Sequence, residues 1–503
     1  MSPRALLTMS SLIRPTRFGL LLVGIMALVL TVFYRDLLPP VPPMLPEGSE
    51  WSKSLDHVPY FGANQQAKNI ERARAMWTCD RCLVNETLCE KFGTRNVDLS
   101  RAFDGSGARV QRVLKKAMAG EPIVTGGMGG SISKGHGCKC DPWHIQMFQW
   151  WNQTFPHPEN RHADGAVGAR GSDYFKYCHH EHLDPDVDII FIETSVNDLM
   201  SDINFDNFEA LLRALLSYPK SPAIVILQTV KLNSPIRYGS EHQFGLAGYY
   251  DVPVINIRNW LFPAFFQNTT SVENWFLPND LLHPNAEGHQ VMAELIQMYL
   301  YQQMCYLNNS RPQIRPGNAA IVTQEDAFDV YSIPPLRMGQ RFSQDFQPEE
   351  ELRPGCASVD SKTSPLQPVL SETKDWELWE QPGTKGEKKF WRATEIGAQI
   401  TFEVNLQVGY VDAYFLKSPK NKLGAVECWL DDEKEPKKID RLEGYWSRPE
   451  SIGQFQKFAF GRKDSLLPTG KHKIHCEIVD KTSSKEKEVK DRTTFQFIGI
   501  FTV

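Results

Sequence analysis

The chain has 503 residues, enough for more than one ordinary domain and for a large buried core. Its apolar fraction of 41% and charged fraction of 23% are those of a globular protein, and a formal net charge of −5 argues against nucleic acid as a partner. The ten cysteines suit an oxidising compartment.

Residues 1–17 carry Arg4, Arg14 and Arg17, and Phe18 to Tyr34 then runs without a charge. That run is near the lower length limit for a transmembrane helix, and its basic flank predicts a cytoplasmic tail with the remainder lumenal or extracellular. A cleaved signal peptide is the rival reading. Val32-Phe33-Tyr34-Arg35 is too bulky for a small-x-small cleavage site, so a retained type II anchor over 18–34 is expected. Residues 35–50 include Leu38-Pro39-Pro40-Val41-Pro42-Pro43-Met44-Leu45-Pro46, a stiff extended stalk. Residues 51–104 hold Cys79, Cys82 and Cys89 with weak periodicity and read as a cap on the next domain. Sequons at Asn85, Asn152, Asn268 and Asn308 accord with a secretory-pathway chain, at the Golgi or the cell surface.

From 105 to 310 the pattern alternates between helix and strand. Helical spacing covers Ala108 to Ala117, Trp143 to Trp151, Phe208 to Leu216 and Ala286 to Tyr301. Apolar runs at Ile123-Val124-Thr125, Val187 to Ile192, Ala223 to Leu227 and Val252 to Ile257 read as buried strands. Such alternation predicts an α/β domain with a parallel sheet covered by helices on both faces. Residues 311–370 are rich in Pro, Ser, Asp and Glu and read as a linker. From 371 to 503 the period changes to two, as at Ile400, Phe402, Val404 and Leu406, which predicts an antiparallel β-sandwich. Cys428 and Cys476 lie in two of its strand-like runs and could pair across a sheet. Trp376, Trp379, Trp391, Trp429 and Trp446 could form a glycan-binding surface or belong to the core.

The chemistry concentrates in two short stretches. In Asp280-Leu281-Leu282-His283-Pro284 a carboxylate stands three residues before a histidine at a helix entrance, a spacing that lets it orient the imidazole as a general base. In Gly129-Gly130-Ser131 a serine sits on a glycine turn at a strand end, where a base could take its proton. Ser131, His283 and Asp280 are therefore the expected catalytic set of a serine esterase or acyltransferase. Other motifs fail: Lys134 is followed by Gly135, which breaks the phosphate-loop pattern. His136, Cys138, Cys140 and His144, or the cluster His179, His180 and His182, could be drawn as zinc sites, but Asp184 stands where a His-Glu-x-x-His motif needs its second histidine. Disulfides and solvated histidines are the expected alternative, with no metal and no cofactor. The Trp143, Met147, Trp150 stripe reads as core rather than sugar platform.

Four blocks in order over roughly 105 to 305 resemble the SGNH (GDSL-type) hydrolase superfamily: Gly130-Ser131, Gly165-Ala166-Val167-Gly168, Ser195-Val196-Asn197-Asp198 and Asp280-x-x-His283. The usual Gly-Asp-Ser is here Gly-Gly-Ser. The resemblance implies a flavodoxin-like sheet, Ser131 as nucleophile, and an oxyanion hole made by the Ser131 and Gly168 N–H groups with the Asn197 side chain. The wider arrangement of anchor, stalk, hydrolase block and sandwich is similar to fungal capsular-associated-type membrane proteins, which implies surface-polysaccharide metabolism. The expectation is removal of O-acyl, above all O-acetyl, groups from a glycan, with water as second substrate. A lumenal transferase would need its acyl donor imported, and one span cannot do that unaided. A glycan O-acetyltransferase with the same residues, and a glycan-binding protein without turnover, are the alternatives.

Overall fold

The computed structural model describes residues 79–503 apart from 80–81, 83–85, 234, 237–238, 309–331, 348–353, 385–387, 449–450, 463–465 and 481–491. The expected tail, anchor, stalk, first part of the cap segment and the Asn85 sequon lie outside the described residues. Among the described residues no helix is long and apolar enough to cross a membrane.

The α/β part begins with two short helices, α1 (Glu86–Phe92) and α2 (Thr94–Ser100), then edge strand β1 (Arg101–Phe103). There follow α3 (Ala108–Met118), β2 (Val124–Gly129), α4 (Trp143–Thr154), β3 (Arg161–Ala166), α5 (Ser172–His182), β4 (Ile189–Glu193) and α6 (Asp202–Leu216). β5 (Ala223–Gln228), α7 (Ser240–Tyr249), β6 (Val254–Asn256), α8 (Ile257–Gln267) and α9 (Ala286–Asn308) complete it. The strands form one sheet in the order β1-β6-β5-β4-β2-β3. All neighbours are parallel except β1, which pairs antiparallel with β6. From β2 onward this is the flavodoxin-like order, so the chain reverses direction across the sheet beside β2.

The continuous apolar runs become β4 and β5 because helices cover both faces, and every residue of both strands is buried. β2 reads Val-Thr-Gly-Gly-Met-Gly for a packing reason. A Cβ on Gly127 would stand 2.5 Å from the His144 ring, so glycine lets α4 lie close on the strand. The Trp143, Met147, Trp150 face of α4 is core. β3 was not foreseen, since Arg-His-Ala-Asp-Gly-Ala has no apolar alternation; it is an outer strand, half exposed.

Among the described residues of the C-terminal part, every pair of neighbouring strands is antiparallel. One sheet has the order β10 (Gln399–Leu406), β15 (Gly470–Val479), β12 (Ala425–Leu430) and β13 (Asp440–Glu443). The other has the order β14 (Ile452–Lys457), β11 (Val411–Lys417), β16 (Phe495–Thr502), β9 (Lys389–Ala393) and β8 (Glu377–Glu380), with β7 (Gly355–Ser358) also on β16. The inner faces enclose Ile400, Phe402, Val426, Cys428, Ile474 and Phe497. Trp376, Trp391 and Trp429 are buried, so three of the five tryptophans considered for glycan binding are not an exposed surface.

β7 lies inside the stretch read as a linker, so that reading needs correction: residues 355–358 are a strand of the sandwich. The outer face of the β11–β16 sheet, including Tyr414 and Phe501, packs against Tyr174, Tyr177 and Cys178 of α5. All ten cysteines are paired. Cys178 bonds Cys356 across this contact, Cys428 bonds Cys476 between β12 and β15, and Cys79 bonds Cys305 of α9. Cys82 pairs with Cys89 and Cys138 with Cys140, so the Cys79-x-x-Cys82 pair is not a unit.

Candidate active site

Three loops leave the C-terminal ends of β2, β3 and β4 at the point where strand order reverses, where open α/β sheets place their ligands. The loop after β2 carries Ser131, the loop after β3 carries Gly168, and the loop after β4 carries Asn197. A tight turn holds Ser131: the Lys134 N–H donates to the Gly130 carbonyl and the His136 N–H to the Ser131 carbonyl, each at 3.0 Å. Ser131 is 9% exposed, enclosed by the fold but reachable.

The Asp280-x-x-His283 turn closes on itself before α9. One Asp280 oxygen accepts the Leu282 and His283 backbone N–H groups, both at 3.0 Å. The other lies 2.9 Å from His283 Nδ1. With Nδ1–H donating to the carboxylate, Nε2 is the free acceptor, and it lies 2.8 Å from Ser131 Oγ. Burial pushes the Asp280 carboxyl up, but the hydrogen bonds from the His283 ring and backbone outweigh it and hold it below its usual range. The His136 ring lies beside the His283 ring, tilted by 57°, with centroids 4.8 Å apart.

The expected oxyanion donors are spread over all three loops. Among the described residues neither the Ser131 nor the Gly168 N–H has a backbone acceptor, and a Cβ on Gly168 would meet open space. The Asn197 Nδ2 donates to the Arg170 carbonyl at 2.6 Å, which leaves its second N–H available. Asp198 braces this loop: its carboxylate accepts the Ser172 N–H at 2.8 Å and hydroxyl or amide hydrogens from Ser172, Thr194 and Gln243. Burial nonetheless raises Asp198 to about 6.

Two residues after Ser131, Ser133 reaches Glu193, a buried carboxylate that sequence reasoning did not single out. It accepts from Thr229 Oγ1 at 2.8 Å and Ser133 Oγ at 3.3 Å, and burial raises it to about 7 against those hydrogen bonds. The only signal was an acidic residue closing an apolar strand.

Three of the histidines considered for zinc are engaged elsewhere. His144 contacts the Ser133 carbonyl and His162, His179 the Tyr218 hydroxyl, and His182 the Tyr174 hydroxyl. Among the described residues one group, Cys138, Cys140 and His289, has the spacing of metal ligands, and its two sulfurs are bonded to each other. Of the sequons, Asn268 is exposed in a turn where it accepts from the Thr270 N–H and hydroxyl, and Asn308 is exposed at the end of α9. Asn152 is partly covered on α4, with its carbonyl held by Asn160.

No protein-family model and no curated relative matches the sequence. Among solved structures the chain is similar to a two-domain esterase active on acetylated mannans, seen with mannopentaose: 18% identity, a TM-score of 0.56, 81% of this chain and 97% of that one covered. An acetyl xylan esterase aligns with 35% of this chain and 98% of its own at 13% identity and a TM-score of 0.30. A G-D-S-L family lipolytic protein from Desulfitobacterium hafniense aligns with 35% of this chain and 99% of its own at 12% identity and a TM-score of 0.27. The first comparison spans both parts of the molecule and shows a shared fold, an α/β sheet followed by an antiparallel β domain.

Proposed function

We propose that the protein is a serine esterase that removes O-acetyl groups from a glycan. The observation that carries this reading is the unbroken chain Ser131 Oγ, His283 Nε2, His283 Nδ1, Asp280, with links of 2.8 and 2.9 Å. In the proposed reaction His283 accepts the Ser131 proton as Oγ attacks the ester carbonyl. The tetrahedral oxyanion is met by the Ser131 and Gly168 N–H groups and the Asn197 amide. His283 then protonates the leaving sugar oxygen, and water, activated by the same imidazole, releases acetate. Asp280, ionised, steadies the imidazolium that forms twice per turnover. The acetylated-mannan esterase that shares the two-domain fold supports a glycan as the leaving alcohol.

The apolar run Phe18 to Tyr34, the proline stalk and the disulfides support a membrane-anchored enzyme facing the lumen or cell exterior. The test is labelling of the purified lumenal segment with a fluorophosphonate, mapping the modified residue, alongside acetate release from acetylated mannan and xylan with and without an acceptor glycan. Labelling at Ser131 that falls in His283→Ala, with acetate released to water, is expected. Acetyl groups appearing only on the acceptor would make the protein a transferase, and absence of labelling would make it a binding protein.

A further inference from the structure

The loop after β3 that carries Gly168 is not held by the α/β part alone. Ala169 adopts φ +62°, a left-handed conformation that a side chain disfavours and that persists only where the surroundings enforce it. Two contacts from the β-sandwich do so. The Gly453 N–H of β14 donates to the Ala169 carbonyl at 3.3 Å. The buried Arg170 guanidinium reaches Asp360, with Nε 3.1 Å from Oδ2 and a second contact through Nη2.

Asp360 is itself fixed. Its N–H donates to Ser358 Oγ at 3.2 Å, and its neighbours Ser361 and Thr363 donate to the Glu181 carboxylate of α5. The rings of Tyr174 and Tyr414 lie 5.4 and 5.6 Å from the guanidinium carbon. The other face of the same residue meets the site: the Arg170 carbonyl accepts the Asn197 amide at 2.6 Å. A single residue thus joins the sandwich at its side chain to the oxyanion side chain at its backbone.

We infer that Asp360 is a positioning residue for the esterase site: through Arg170 it sets the direction of the Asn197 amide, so the β-sandwich completes the oxyanion hole. The inference rests on the esterase reading above. An ion pair this well enclosed holds its backbone in one place, whereas a surface pair would let it drift. Asp360 touches no reacting atom and acts only through the Arg170 peptide.

The test is a double-mutant cycle on the full chain, combining Asp360→Ala with Asn197→Ala. It is read as kcat and KM on p-nitrophenyl acetate and as the rate of fluorophosphonate labelling of Ser131. Asp360→Ala should lower kcat and labelling about 10- to 100-fold with KM unchanged, part of what a lost oxyanion donor costs. In the Asn197→Ala background the same change should have almost no further effect, because there is no amide left to aim. Asp360→Asn, which keeps the shape and one acceptor, should recover part of the rate and guards against misfolding of the alanine variant. Additive effects in the cycle, or a fall in Asp360→Ala matched by KM and melting temperature alone, would overturn the inference while leaving the esterase reading intact. Absence of Ser131 labelling in the unaltered chain would instead remove the esterase reading and the inference with it.

Discussion

The Asn197 carboxamide lies against the backbone of Gly130: a Cβ at that position would stand 2.3 Å from Asn197 Nδ2 and 3.0 Å from the Arg170 carbonyl. Glycine at position 130 thus leaves room for the Asn197 amide. The space beside Ser131 is filled by the amide and by the carbonyl that orients it. Gly130→Asp should therefore push Asn197 out of place. A fall in kcat of about 10²- to 10³-fold, as for a lost oxyanion donor, is expected in stopped assays on an aryl acetate. Wild-type turnover in that variant would show that the amide is not used.

Changing Ser131 and changing Asp280 separate their proposed roles. Ser131→Ala should leave no covalent labelling. Asp280→Asn should lose about 10⁴-fold in kcat, since an amide can hold the imidazole in the wrong tautomer. A loss below tenfold in Asp280→Asn would mean that the backbone of the 277–284 turn alone orients His283.

Asp280 also has a pH signature. Its carboxyl is held below the usual range in the folded protein, so its contribution to stability is complete above the unfolded-state value and is lost only as pH falls through the folded one. Thermal melts of wild type and Asp280→Asn should therefore differ at neutral pH and converge in strong acid. Curves that stay parallel to the lowest accessible pH would exclude this coupling.

Glu193 has the opposite sign. Burial raises it from 4.5 to about 7, so between those values the folded state holds a proton that the unfolded state has lost, and stability falls as pH rises. Glu193→Gln removes this penalty. It should gain on the order of 3 kcal/mol relative to wild type between pH 4 and pH 8, read from denaturant melts at a series of pH values. An equal offset at every pH would mean that Glu193 keeps an ordinary value.

The Cys178–Cys356 bond closes a long loop and ties α5 to the sandwich. Replacing both cysteines with serine should cost about 2–5 kcal/mol of stability. Because the same contact carries Asp360 toward Arg170, the double variant should also lose activity at temperatures well below its melting point. Full activity up to the melting transition would show that packing of Tyr174, Tyr414 and Phe501 suffices to hold the two parts together.

Much of this molecule was written locally. Val187 to Ile192 and Ala223 to Leu227 read as doubly covered strands because helices on both faces demand unbroken apolar runs, and both lie in the middle of the sheet. The Asp280-x-x-His283 turn was legible because its hydrogen bonds join residues three apart. Ser131 was legible because a glycine turn closes an apolar strand. β3 and the strand at 355–358 were not legible. An outer strand needs no apolar alternation, and Gly-Cys-Ala-Ser becomes a strand only because β16 lies beside it.

By itself the sequence determined which chemical groups are present, the two central buried strands, and the change from a helix–strand alternation to period two. Only the tertiary structure decided that Ser131 meets His283 across 152 residues, that Cys178 pairs with Cys356, and that Asp360 reaches Arg170 across 190. Those contacts follow from how whole faces pack. No local spacing encodes them, because each depends on side chains brought together by elements far apart in the chain.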